Sequence, residues 1–282
     1  MIRIILKEDL EAEIQIFLDF LNSKEYPQHR NIIFSCFPEL KIKIDLQEED
    51  EKIIVKRFLN TIREKNKINI EKSTIFVKNE IEKHGEKTLE ILFNLMSYRW
   101  KSESENYILI PTIFPLSPFK NNNFFYSIFG SLKGITEYPK ILAVSTHEIS
   151  HMVLFSILKD KNIELGQELL YFIKELIAPV LVYQDDFNGI FKKEIVGNYN
   201  VLEIYFDVGH KTIKAFNYFL EVFLKNRSDG KDFTNFLNEV ISICKKIEPE
   251  IKEKRVFDNK YGMQIMKDPE LLKKFGEPIK LK

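Results

Sequence analysis

Two histidines and a glutamate lie close together in the sequence His147-Glu148-Ile149-Ser150-His151. On a helix, residues four apart share a face, so His147 and His151 can offer imidazole nitrogens to one metal ion. Glu148 lies about 100° around the helix from His147 and can reach a nearby water without being a ligand. Zinc suits two imidazoles and one carboxylate, and it activates water for attack on a carbonyl. The spacing therefore predicts a Zn²⁺ site in which Glu148 is the general base and acid.

This chemistry requires the segment to be helical. Pro139 precedes it, as is common at a helix start, and residues 141–158 contain no Gly or Pro. The segment is apolar on almost all sides, which predicts a buried helix near residues 140–160. Buried His and Glu side chains need partners, because an unpaired polar group in the core costs about 1–3 kcal/mol. A metal ion would be that partner, and a pair of hydrogen-bonded core histidines beside a buried acid is the alternative.

A third ligand is expected from the next apolar segment, which is predicted as a helix near residues 164–183. It contains Glu168 and Glu175, which are seven residues apart and therefore lie on nearly the same helical face. Glu175 is followed by Leu-Ile-Ala, and a carboxylate in such surroundings needs a cation, which zinc would supply. Glu168 stands near the expected helix start, where a solvated acid is ordinary. We predict Glu175 as the ligand, with Glu168 as the alternative ligand. An ion pair of Glu175 with Lys174 or another buried base is the other explanation.

These residues resemble the zincin metallopeptidases, and within them the gluzincins. That group joins the motif HExxH on one helix to a Glu on the next, often written Glu-x-x-Ala, which is Glu175-Leu176-Ile177-Ala178 here. The resemblance covers roughly residues 140–182. It implies a zinc-dependent peptidase that hydrolyses peptide bonds through a metal-activated water, with a peptide or protein as substrate. Two alternatives stay open: a zincin-fold metal-binding module without peptidase activity, and a hydrolase of non-peptide amides.

The resemblance also implies companions for the metal site. Gluzincins have a mixed sheet ahead of the active-site helix whose edge strand binds an extended peptide, and residues 106–113 or 124–129 are candidates for that strand. They also use a Tyr or His that donates a hydrogen bond to the oxyanion of the tetrahedral intermediate, and Tyr205 and His210 are the candidates for this role. Asp207 is a candidate acceptor for the second nitrogen of a ligating His.

The predicted fold class is α+β, zincin-like and mostly helical, with a small mixed sheet preceding the active-site helix. Periodicity predicts strands at residues 1–6, 41–46, 106–113 and 124–129. It predicts helices at residues 9–22, 48–67 and 73–100, the last with a break near Gly85. Further helices are predicted near residues 140–160, 164–183, 208–226 and 230–246. The tail from Glu248 is charged and weakly patterned. A change in composition near residue 105 predicts a mainly helical N-terminal portion (1–105) and a zincin-like catalytic domain (106–282), or one continuous domain.

The composition of the 282 residues restricts the remaining possibilities. With 42 basic and 42 acidic side chains, the chain gives no reason to expect a nucleic-acid or membrane partner. Cys36 and Cys244 are the only cysteines and lack a metal or redox spacing, which favours a reducing, cytoplasmic location. The N-terminus lacks the apolar stretch of a signal peptide, and residues 169–183 are too short and too charged to span a bilayer. The oligomeric state is left open.

Overall fold

The computed structural model describes residues 3–24, 27–46, 49–99, 106–120 and 122–281. They form a mixed α/β structure that is about 65% helical and has small mixed sheets. Residues 1–86 and 103–145 group into one compact unit, and residues 87–102 and 146–282 group into a second. The mostly helical composition with small mixed sheets is confirmed, while the domain boundary near residue 105 stays a prediction.

The first unit contains a four-stranded sheet and the N-terminal helices. Its elements are β1 (Ile4–Leu6), α1 (Leu10–Leu21), α2 (Pro27–Cys36), α3 (Pro38–Asp45), α4 (Glu51–Lys65), most of α5 (Lys67–Leu95), β2 (Tyr107–Thr112), β3 (Phe119–Lys120) and β4 (Asn123–Ser127). The strand order is β1-β2-β4-β3, with the first two pairings parallel and β3 antiparallel to β4. Helix α1 confirms the helix predicted over residues 9–22. The side chain of Asp9 caps it by accepting a hydrogen bond from Ala12 N.

A buried carboxylate joins α1 to α4 and β2. Glu13 is 1% exposed and accepts hydrogen bonds from Thr112 Oγ1 at 2.8 Å, Ile113 N at 2.7 Å and Arg63 Nη1 at 2.7 Å. Burial raises the pKa of this carboxyl, and the Arg63 guanidinium opposes that rise. The three donors satisfy a group that would otherwise be costly to bury, so they hold α1 against the sheet.

Two sequence predictions in this unit are wrong. Residues 41–46 are not a strand, because they belong to α3 and to its C-terminal end. Leu40 and Ile44, which are one helical turn apart, are buried, whereas Ile42 is 61% exposed. The alternation that suggested a strand therefore does not follow the buried face. The break predicted near Gly85 is also absent, since α5 continues through this residue.

The two candidate strands for peptide binding both lie inside the described sheet. β2 pairs with β1 on one side and with β4 on the other. β4 pairs with β2 and, at residues 123–124, with β3. Beyond β3, Phe125 N donates to Pro118 O at 2.7 Å, so this side of β4 stays covered. The expectation that either strand is an edge for an extended peptide is therefore wrong.

The second unit carries a long buried helix, further helices and a small sheet. Its elements are α6 (Ile141–Asp160) from Thr146 onward, α7 (Gln167–Val182), α8 (Tyr199–Leu202), β5 (Tyr205–Val208), β6 (Lys211–Lys214), α9 (Ala215–Ser228), α10 (Phe233–Lys246), α11 (Glu248–Tyr261), α12 (Pro269–Phe275) and β7 (Ile279–Lys280). The strand order is β6-β5-β7, with β6 antiparallel and β7 parallel to β5. Helix α7 packs against α9, α10 and α11.

The helices predicted near 140–160, 164–183 and 230–246 correspond to α6, α7 and α10. The helix predicted over 208–226 begins later than expected, because residues 205–214 form a hairpin with Gly209 at φ +66° in its turn. The tail from Glu248 is also more ordered than its pattern indicates, since it forms α11, α12 and β7.

Helix α6 has the length and apolar composition of a membrane-crossing helix. Of its most apolar stretch, 78% is buried inside the protein. A core helix has the same length and composition, so these properties alone do not identify a membrane span.

Candidate metal centre

Helix α6 brings two imidazoles together in the protein interior. Residues 141–158 contain no helix breaker, so the four-residue spacing of His147 and His151 becomes one face of a regular helix. Their ring centroids are 4.5 Å apart with the planes at 81°, and both residues are buried. This part of the sequence prediction is confirmed in geometry.

Helix α7 supplies the carboxylate. Glu175 Oε2 lies 3.7 Å from His147 Nε2, and Glu175 Oε1 lies 3.8 Å from His151 Nε2. One ligand atom from each of the three residues lies within 4.8 Å of the others. Ligand atoms of a tetrahedral zinc with bonds of about 2.0–2.2 Å are about 3.3–3.6 Å apart, so small side-chain movements would close this site. The three residues can hold a metal ion, whose identity the geometry does not show.

The backbone of α7 is altered at the ligand itself. Pro179 lies inside the helix and has no N–H to donate to the carbonyl of Glu175, four residues earlier. The helical hydrogen-bond ladder therefore has a gap at the residue that faces the two imidazoles. Both Glu175 and Pro179 are buried, so neighbouring groups rather than bulk water surround this gap.

The protonation states of Glu175 and His151 suit metal binding. Burial by itself raises the pKa of the Glu175 carboxyl, but the Lys174 ammonium and the two imidazoles hold it well below its usual range. Burial lowers the pKa of His151 well below its ordinary value, and the Lys174 charge adds to this effect. An ionised carboxylate and a neutral imidazole are the forms that bind a metal. For His147, burial opposes protonation, but its hydrogen bond with Glu175 and the Glu148 charge leave its pKa raised.

A loop after α7 orients one of the histidines. His147 Nδ1 lies 3.0 Å from the carbonyl oxygen of Val196, and donation to this acceptor leaves Nε2 for a metal. A Cβ built on Gly197 would lie 3.5 Å from His147 Cε1 and 3.3 Å from Pro179 Cγ, so a glycine allows the loop to pass closely. For His147 the acceptor is thus Val196 and not Asp207, which lies in β5 opposite Thr212. No pattern in the sequence identified Val196.

Glu148 follows His147 on α6 and is half-buried. Burial raises the pKa of its carboxyl to about 7, with His147 lowering it and the Glu175 charge raising it. A carboxyl with a pKa near neutrality, one residue from a candidate ligand, is the type of group that accepts and returns a proton in catalysis.

No protein-family model matches the chain, and no curated protein or solved structure matches it significantly. The likeness to the gluzincins therefore rests on the two motifs and on the cluster of His147, His151 and Glu175.

A lysine and an aromatic ring form a second layer beside Glu175. Lys174 Nζ donates to Glu175 Oε1 at 2.5 Å and lies 5.2 Å from the centre of the Tyr171 ring. The Arg255 guanidinium lies 3.6 Å from the centre of the same ring and donates to Asp258 Oδ2 at 3.2 Å. The ion pair of Lys174 and Glu175, raised above as an explanation of Glu175, thus exists together with the cluster.

The other residues singled out in the sequence lie elsewhere in the described structure. Glu168 is half-buried in the first turn of α7 and is not part of the cluster, so Glu175 is the carboxylate that the fold selects. Tyr205 donates to Glu203 Oε2 at 3.2 Å, and His210 is exposed in the turn between β5 and β6. The oxyanion role of Tyr205 and His210 stays a prediction that these contacts do not support.

Proposed function

We propose that the protein is a zinc-dependent metallopeptidase of the gluzincin type, with a zincin-like fold around α6 and α7. The observation that carries this proposal is the buried cluster of His147, His151 and Glu175, contributed by a HExxH helix and the helix that follows. Two imidazoles and one carboxylate are the ligand set of a catalytic zinc that keeps one position open. The cytoplasmic location and the peptide or protein substrate belong to the same proposal.

Each residue has a role in peptide hydrolysis. His147, His151 and Glu175 would hold the metal, and the carbonyl oxygen of Val196 orients the His147 ring. Bound zinc supplies Lewis acidity, which lowers the pKa of a water and polarises the carbonyl of the substrate. Glu148 accepts a proton from the water that attacks the carbonyl carbon. The same carboxyl then gives this proton to the leaving amine, so the products are a carboxylic acid and an amine.

One observation favours a second candidate, a zincin-fold metal-binding module without peptidase activity. Tyr205 donates a hydrogen bond to Glu203 Oε2 and His210 is exposed in the β5–β6 turn, so this placement lends no support to an oxyanion donor from either residue. Such a module would keep its zinc and would cut no peptide, and replacing Glu148 with glutamine would leave its function unchanged.

The first test is the zinc content of the purified protein after metal repletion, measured by mass spectrometry. We expect about one zinc per chain, as the one three-ligand cluster among the described residues predicts, and loss of zinc in His147→Ala and Glu175→Ala. Glu168→Ala is the matched control, because it removes a carboxylate from the same helix outside the cluster. A wild-type protein without transition metal would contradict the proposal.

The second test separates the two candidates. Wild type and Glu148→Gln are incubated with a peptide library, and cleavage is followed by mass spectrometry. Cleavage by the wild type and its loss in a zinc-loaded Glu148→Gln protein support the peptidase. Zinc without cleavage in the wild type supports the binding module.

A further inference from the structure

A lysine contacts the candidate ligand Glu175 from the preceding position of the same helix. Its Nζ lies 2.5 Å from Glu175 Oε1, the oxygen that also lies 3.8 Å from His151 Nε2. The side chains of Lys174 and Glu175 are only 14% and 11% exposed. An ammonium and a carboxylate are therefore paired almost out of water, directly at the metal cluster.

The pairing of Lys174 with Glu175 has opposite consequences for the metal-free and the metal-bound site. Without a metal, Glu175 is a buried carboxylate that needs a cation, and Lys174 provides one. With a divalent ion on the same carboxylate, two more positive charges stand beside the ammonium, and charges repel strongly where water is scarce. The nearby Arg255 does not replace Lys174, because its guanidinium is paired with Asp258.

We propose that Lys174 is a built-in counter-ion of the metal site, which stabilises the metal-free protein and weakens its affinity for zinc. This inference rests on the metal site of the proposed function. It adds that Lys174 regulates how readily the site binds and releases its ion. Removing the ammonium destabilises the empty site and favours the occupied one.

The test compares wild type with Lys174→Met, using Zn²⁺ alone as the ligand and a chromophoric chelator as competitor. We expect the variant to bind zinc about 10- to 100-fold more tightly, because one charge repulsion is removed. We also expect its metal-free form to unfold at a lower urea concentration than wild type. Lys174→Arg keeps the charge and should behave like wild type in both measurements.

The chain offers a matched control in a second lysine with the same kinds of contact. Lys193 Nζ lies 2.7 Å from Asp185 Oδ1 and 4.5 Å from the centre of the Tyr183 ring. The Asp185 side chain is 73% exposed, and Asp185 is not in the metal cluster. Lys193→Met should therefore leave both zinc affinity and metal-free stability unchanged.

The outcomes separate this inference from the proposed function. If wild type binds zinc and Lys174→Met binds it equally or more weakly, the counter-ion role is wrong and the metal site stands. If wild type binds no zinc, both are wrong. If Lys174→Met does not fold without metal, refolding with excess zinc should restore its circular dichroism spectrum, and failure to do so would overturn the inference.

Discussion

Replacing Arg63 with methionine should destabilise the protein in a strongly pH-dependent way. Arg63 is the cation beside Glu13, a carboxylate that is 1% exposed and joins α1 to α4 and β2. The variant keeps the hydrogen bonds from Thr112 Oγ1 and Ile113 N, but it leaves a buried negative charge without a positive partner. Breaking a buried ion pair from one side costs about 3–5 kcal/mol, and we expect a loss of this size at neutral pH.

The sign of the pH dependence follows from the pKa of Glu13. Burial already raises it in the native protein, and Arg63 is the largest opposing influence. In the variant the folded-state pKa rises further above that of the unfolded chain. A carboxyl of this kind contributes stability that is present at low pH and lost as the pH rises through its folded pKa. The difference between wild type and variant should therefore be smallest near pH 4 and grow by up to about 1.4 kcal/mol per pH unit above it.

Urea denaturation followed by circular dichroism at several pH values measures this difference. Arg63 Nη2 also lies 3.7 Å from Glu8, so Glu8→Gln is the control for the exposed pair, and its effect should stay below about 1 kcal/mol. The double variant Glu13→Gln/Arg63→Met buries no charge and should recover much of the loss. A loss under about 1 kcal/mol at neutral pH, or one that does not change with pH, would refute the reasoning.

Three further predictions concern single residues. Gly197→Ala places a Cβ 3.3 Å from Pro179 Cγ, a tight contact that the loop must relieve by shifting, and should weaken zinc binding by up to about 10-fold in chelator competition; unchanged affinity would mean that the loop does not orient the His147 ring. Glu148→Gln should keep its zinc but slow peptide cleavage at least about 100-fold, and undiminished cleavage would exclude Glu148 as the proton carrier. Asp232→Ala removes the cap of α10, whose carboxylate accepts from Asn235 N at 3.0 Å, and should lower the free energy of unfolding by about 1 kcal/mol; an unaltered urea midpoint would contradict this.

Local sequence patterns were sufficient to predict helices that are stabilised by contacts within the helix itself. The helix predicted over 9–22 is α1, because Asp9 accepts from a backbone N–H within the same turn and the apolar spacing matches its buried face. Helix α6 is also predictable from local sequence, because residues 141–158 lack any helix breaker. The structure of residues 41–46 was not predictable from a local pattern, because Ile42 is exposed and Leu40 is buried only through packing with other elements.

Gly85 shows how packing overrides a local signal. A glycine inside a helix is unfavourable by about 1 kcal/mol relative to alanine, so the sequence alone favoured a break. In the fold, a Cβ on Gly85 would lie 3.6 Å from Ile4 Cδ1 of β1. Helix α5 nevertheless continues through Gly85, which lies beside Ile4 of β1. This contact joins residues far apart in the chain, so no local pattern reports it.

The sequence by itself determined that His147 and His151 share a face, because four residues make about one turn of any α-helix. Choosing between Glu168 and Glu175 was different, since both lie on nearly the same face of α7. They are about 10 Å apart along the helix axis, and only the tertiary structure decides which one lies beside the imidazoles. The Val196 carbonyl likewise became visible only in the tertiary structure, because every residue has a backbone carbonyl and only its position in space distinguishes one from another.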